Sequence, residues 1–74
     1  MANGNKPVAE FRIGLVKASV FRNENNDRVF YNTSISRSYK DADDKWKETN
    51  QFGSDDLLNV ARVAQRAEDF IAKQ

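Results

Sequence analysis

The sequence predicts an α+β domain: an antiparallel β-meander of three strands, or four if a bend at Gly14 splits the first, followed by one C-terminal amphipathic helix. Three observations carry this. Between residues 11 and 52 apolar and polar side chains alternate, the period of a half-buried strand. Two polar clusters, residues 23–27 and 41–44, interrupt the alternation, and such short connections join antiparallel neighbours. Beyond Gly53 the apolar spacing lengthens to three and four residues, the mark of one helical face.

Residues 1–8 show no periodicity and read as a disordered tail, leaving residues 9–74 as the single domain. The first strand spans residues 11–22. Phe11, Ile13 and Leu15 alternate at odd positions, then Val16, Ala18 and Val20 at even ones. Gly14 sits at that parity switch, where a glycine marks a bulge or bend. The second strand spans residues 29–40, with Val29, Tyr31, Thr33, Ile35, Arg37 and Tyr39 on one side. Its other side is more polar: Phe30, Asn32, Ser34, Ser36, Ser38 and Lys40. The third strand spans residues 45–52, with Trp46, Glu48, Asn50 and Phe52 opposite Lys45, Lys47, Thr49 and Gln51. Ser54 is the expected N-cap of the helix, with Asp55 and Asp56 at the favourable end of its dipole. The helix is expected to end at about Ala72. Its stripe is Leu57, Val60, Ala61, Ala64, Ala67 and Ile71, widened by Leu58, Val63 and Phe70.

Composition removes whole classes of chemistry. The 74 residues are 39% hydrophobic and 31% charged, which suits a folded chain rather than a disordered one. Cysteine and histidine are both absent, so disulfides, thiolate metal sites and histidine base catalysis are excluded. Ser19, Ser34, Ser36 and Ser38 therefore have no histidine to activate them. Asp41, Asp43 and Asp44 lack the spacing and closing glutamate of a calcium loop, and read as turn formers. No catalytic residue, metal or cofactor is expected, and the chain reads as a binder rather than an enzyme. No apolar run approaches the ~20 residues of a membrane span, and residues 1–7 lack the apolar core of a signal peptide. The expected location is the cytoplasm, with no membrane partner.

A domain of this length buries only about 60% of its unfolded surface. Without disulfides or a metal, self-association is the remaining support, so a homodimer or higher oligomer is expected. The width of the helix's apolar face points the same way.

The net charge is +1, but it is uneven. Residues 11–47 hold eight basic and five acidic side chains, whereas residues 48–74 hold three basic and five acidic ones. An anion should prefer the strand half. If Val16, Ala18, Val20, Tyr31, Thr33 and Ile35 face the helix, the opposite side of the sheet carries Lys17, Ser19, Phe21, Phe30, Asn32, Ser34, Ser36, Lys40, Lys45, Lys47, Thr49 and Gln51. Lysines neutralise phosphates, hydroxyls and amides bond phosphate or base edges, and phenylalanines stack on bases. Candidate nucleic-acid contacts are Lys17, Phe21, Phe30, Asn32, Ser34, Lys40, Lys45 and Lys47, joined by Arg37 and Tyr39 near the second hairpin. Arg37 and Tyr39 have a structural alternative, at the edge of the core. Trp46 has the same choice, and is read as closing the core against the helix. For the whole face, the alternative is a protein-interaction or assembly module with no nucleic acid ligand, its phenylalanines buried in a subunit contact.

Three strands and a capped helix with a basic, hydroxyl-rich sheet resemble the single-stranded-DNA-binding group that includes positive cofactor four and the plant Whirly proteins. The resemblance is of architecture over residues 11–73. It implies a dimer or larger assembly in which strand faces and hairpin loops bind a single strand, more readily DNA than RNA. That group usually has four strands before the helix, one more than the three counted here. Phe30-Tyr31-Asn32, Ser36-Arg37-Ser38-Tyr39-Lys40-Asp41, Trp46-Lys47-Glu48 and Phe52-Gly53-Ser54-Asp55-Asp56-Leu57 also look like a family of short uncharacterised microbial proteins, which brings no activity with it.

Overall fold

The computed structural model describes residues 6–74. Four strands, β1 (Ala9–Ile13), β2 (Val16–Asn25), β3 (Arg28–Lys40) and β4 (Trp46–Thr49), form one antiparallel sheet in the order β1-β2-β3-β4. A single 3₁₀ turn, Ser54–Asp56, leads into helix α1 (Leu57–Ala72). The molecule is a slab of 45 × 27 × 15 Å. The strand count is four because the chain reverses at Gly14 instead of bending.

Three hairpin loops set the register. Ile13 pairs with Val16 across the two residues Gly14 and Leu15. Gly14 has φ +61° and Leu15 does not have a positive φ, the sign pattern of a type II′ turn. A two-residue loop pairs odd positions with even ones, so Phe11 and Ile13 share a side with Ala18 and Val16. The parity switch in the sequence is thus a hairpin seen in projection. Asn25 pairs with Arg28 across Asn26 and Asp27, whose φ values are +51° and +67°. Positive φ at both central positions is the type I′ arrangement, matched to strand twist.

The third loop behaves differently. Asp41 and Lys45 are joined by the Asp41 N–H donating to the Lys45 carbonyl at 2.9 Å, leaving three residues, Ala42, Asp43 and Asp44, in the loop. Asp44 adopts φ +64°, as the last residue of a three-residue hairpin loop does. The Asp41 carboxylate closes the loop by accepting the N–H groups of Asp43 and Lys45, both at 2.9 Å. An odd loop preserves parity, so Lys40 pairs with Trp46 and Ser38 with Glu48.

The core lies between the sheet and α1. Val16, Ala18 and Val20 from β2 and Val63 and Ala67 from α1 are buried. Phe11, Ile13, Tyr31, Ile35, Phe52, Val60, Phe70 and Ile71 pack around them. Thr33, expected on the helix side, is on that side but exposed. Phe11 and Phe70 meet with ring centroids 6.3 Å apart, a tilted contact favoured by the ring quadrupoles. The helix contacts β1 and β2 far more than β3.

Two expectations for α1 are corrected. Ser54 is not a side-chain cap. The Gly53 N–H donates to the Asp56 carboxylate at 3.0 Å, and Ser54–Asp56 forms the 3₁₀ turn before α1 begins at Leu57. The buried stripe centres on Val63 and Ala67, and Leu57, Leu58 and Ala61 are exposed. The first turn of α1 lies at the Gly14 end of the sheet, where Asn59 approaches Gly14, so its leucines overhang the strands. Residues 6–8 lead into β1, with the Val8 N–H bonded to the Val20 carbonyl at 2.8 Å. The rest of the expected tail, residues 1–5, lies outside the described residues.

Candidate nucleic-acid interface

The sheet has one side under the helix and one side clear of it. Because Val16, Ala18 and Val20 point into the core, the period of two turns Lys17, Ser19 and Phe21 to the clear side. The pairing then places Phe30, Asn32, Ser34, Ser36, Ser38 and Lys40 beside them. Six nominated residues, Lys17, Phe21, Phe30, Asn32, Ser34 and Lys40, therefore share one surface.

The other four do not join them. The pairs Arg37↔Thr49 and Tyr39↔Lys47 put Arg37, Tyr39 and Lys47 on the helix side of the sheet. Lys45 alternates with Trp46 and lies on that side too. The assignment of Lys45, Lys47, Thr49 and Gln51 to the clear side assumed a four-residue loop at residues 41–44. The loop has three residues, and a one-residue slip moves every later side chain to the opposite side. Lys47 instead makes an ion pair with Asp41 at 3.2 Å. Arg37 donates from Nε to the Gln51 carbonyl at 3.2 Å and lies 3.2 Å from the Asp56 carboxylate. It ties the loop after β4 to β3, with its guanidinium 6.0 Å from the Tyr39 ring centre.

Trp46 arrives by the same correction. It was expected in the core, but it stands on the clear side with 60% of its surface exposed. The Lys40 ammonium lies 5.3 Å from its ring centre, a cation–π distance. Its place follows from the odd loop length, set by the pairing of Asp41 with Lys45, which the residue types at 41–44 do not reveal. Arg12 and Arg28 also belong to this surface, opposite Lys17 and Asn25.

The clear side thus carries four cations (Arg12, Lys17, Arg28 and Lys40) against two anions, Glu10 and Glu48. Lys17 is ion-paired with Glu48 at 3.2 Å. Ser19, buried, donates to Glu10 at 3.4 Å. The middle of the surface is consequently close to neutral, and free positive charge lies towards its ends. Aromatic groups lie there too. Phe21 and Phe30 are diagonal neighbours near the β2–β3 tip, and Phe30 is 46% exposed. A shallow cleft at that tip is lined by Asn25, Arg28, Val29 and Phe30. Trp46 and Lys40 stand at the opposite end, ten residues along β3 from Phe30, or roughly 33 Å at strand rise.

Among the described residues, Asp41 stands out in acidity. Its carboxyl is held below the ordinary value, chiefly by the N–H of Lys45, with Lys47 and the N–H of Asp43 adding to the effect against partial desolvation. It lies beside the Lys40–Trp46 pair and holds the loop that aims Trp46.

The chain matches no protein-family model, no curated protein and no solved structure. Among the described residues no helix is long and apolar enough to cross a membrane.

Proposed function

We propose that this protein binds single-stranded nucleic acid, DNA before RNA, along the clear side of its sheet. One observation carries the reading. Three aromatic side chains, Phe21, Phe30 and Trp46, stand on a net-basic, hydroxyl-lined surface that the helix leaves open. Phe30 and Trp46 are exposed and Phe21, diagonal to Phe30, is half-buried, and unpaired bases are ligands for such rings regardless of sequence. Arg28 and Lys40 flank them as phosphate contacts, and Asn32 and Ser34 supply hydrogen bonds between. Four strands before a C-terminal helix is also the count of the positive-cofactor-four and Whirly group.

With Lys17 engaged by Glu48, the ionic part of binding falls to Arg12, Arg28 and Lys40. The chemistry is binding alone, and we assign no catalytic group.

Titration of a labelled single-stranded oligonucleotide at about 50 and 200 mM salt tests the reading. Binding should be present at the lower salt and weaken steeply at the higher. Trp46→Ala and Phe30→Ala should each weaken it by the equivalent of ~1–3 kcal/mol, the range for one stacked base. Absence of binding at low salt removes the proposal. The competing reading, an assembly module without a nucleic acid ligand, is favoured by the unpaired edge of β3 and predicts that result.

A further inference from the structure

β3 is 13 residues long, yet β4 pairs only with Arg37 to Lys40. Residues 28–36 thus have no strand on that side. The direction of their backbone groups follows from the bonds nearby. The N–H of Asp41 and the carbonyl of Ile35 both point towards the β4 side, where they meet Lys45 and the Asn50 amide. The Ser38 N–H points the other way, to Leu15. By the period of two, Val29, Tyr31 and Thr33 direct their N–H and C=O groups outward. Among the described residues, no backbone bond reaches them from that side. Natural sheets guard such edges with inward charges, proline, bulges or very short strands, and residues 29–34 have no charge and no proline. The opposite edge, β1, is five residues long and carries Glu10 and Arg12.

We infer that this edge pairs with the same edge of a second copy of the chain, antiparallel and centred on Tyr31. The centre follows from the free length. Asn50 occupies the Ile35 carbonyl, so the run open to a partner is residues 28–34, and its midpoint is residue 31. Tyr31 is also an outward-directed position, as the self-paired residue of a two-fold ladder must be if its bonds are to be exchanged. The resulting pairs are compatible. Val29 lies opposite Thr33, Phe30 opposite Asn32, and Arg28 opposite Ser34, so no like charges face each other. A two-fold axis normal to the sheet keeps both helices on one side and joins the two clear sides into one surface. Val29, 46% exposed in one copy, gains a neighbour. This pairing does not depend on any nucleic acid ligand.

Sedimentation or light scattering of the intact chain, with and without Thr33→Lys, tests it. Thr33 is exposed, so a lysine there leaves the monomer's core untouched while charging the edge. The expected result is a wild-type dimer and a monomeric variant with an unchanged far-ultraviolet circular dichroism spectrum. A wild-type monomer, or a variant that remains dimeric, overturns the inference. Should Thr33→Lys fail to fold, a second measurement decides. The chain has no cysteine, so Tyr31→Cys introduces a single thiol. Its two copies would stand about 5.5 Å apart at Cα as a bonded pair, within disulfide reach. Mild oxidation should cross-link Tyr31→Cys and leave Ser34→Cys uncoupled, because two Ser34 lie six residues apart along the ladder. Cross-linking of Ser34→Cys as fast as Tyr31→Cys, or of neither, contradicts the pairing.

Discussion

In β2, three consecutive inward side chains, Val16, Ala18 and Val20, are wholly buried. In β3, the longer strand, not one side chain is, although it holds Val29, Phe30, Tyr31, Ile35 and Tyr39. The two strands pair along ten residues and are similarly apolar on their helix side, so strand chemistry does not explain the difference. The position of α1 does. A single helix of 16 residues, about 24 Å long, lies over β1 and β2 and cannot also cover β3. The half under the helix is a small core. The half beyond it leaves Val29 exposed and Tyr31, Ile35 and Tyr39 only half-buried on the helix side.

The largest way to break this contrast is to hollow the covered half. Val63→Ala removes two buried carbon atoms against β2 and should cost about 2–3 kcal/mol, combining lost transfer energy with an unfilled cavity. Val29→Ala, on the uncovered half, should stay within about 0.5 kcal/mol. Urea denaturation of both variants measures the difference, and equal losses would mean that Val29 is covered, by α1 or by a second copy.

Gly14→Ala probes the hinge between β1 and β2. An added Cβ would meet the Asn59 amide at 3.6 Å, an ordinary contact, so space is not the obstacle. The positive φ is, at about 1–2 kcal/mol for a residue with a side chain. The same urea experiment should show that loss, and a neutral result would mean the turn can adopt another form.

The smallest effect concerns the loop that aims Trp46. The Asp41 carboxyl is more acidic in the folded chain than its ordinary value of 3.8. A carboxylate with a depressed folded pKa contributes its stability fully above the unfolded value, and loses it as pH falls through the folded one. Asp41→Asn should therefore be less stable than the wild type near neutral pH. The gap should narrow as pH drops below about 3.8, the ordinary value from which the shift is measured. Thermal unfolding of the pair between neutral pH and strong acid would show it, and a gap independent of pH would mean the ionised form has no special role.

Much of the fold was legible because alternation and turn residues are local signals. The two sides of β2 and β3, the polar turn at Asn26 and Asp27, and the end of α1 at Ala72 all follow from spacing alone. The reversal at Gly14 was visible as a parity switch, though the spacing fits a bend as well as a hairpin. Less of the site was legible, for one reason. Residues 41–44 hold three aspartates and an alanine, and nothing in their identities separates a three-residue loop from a four-residue one. That single residue decides whether Trp46 or Lys45 stands opposite Lys40. The rotation of α1 was hidden as well, since a broad apolar face is compatible with several stripes until the strands beneath it are placed. The open edge of β3 depends on how early β4 stops, and β4 stops at Thr49 although the alternation continues to Phe52.

Lys40 and Lys47 offer the most direct test of the proposed surface. They flank one hairpin, carry the same charge and lie on opposite sides of the sheet. Oligonucleotide affinity should be measured across a salt series for Lys40→Gln and Lys47→Gln. The account predicts weaker binding for Lys40→Gln, with a salt slope shallower by about 0.7, the value for one phosphate contact on a single strand. Lys47→Gln should bind like the wild type. Equal losses from the two variants, or a loss from Lys47→Gln alone, would contradict it.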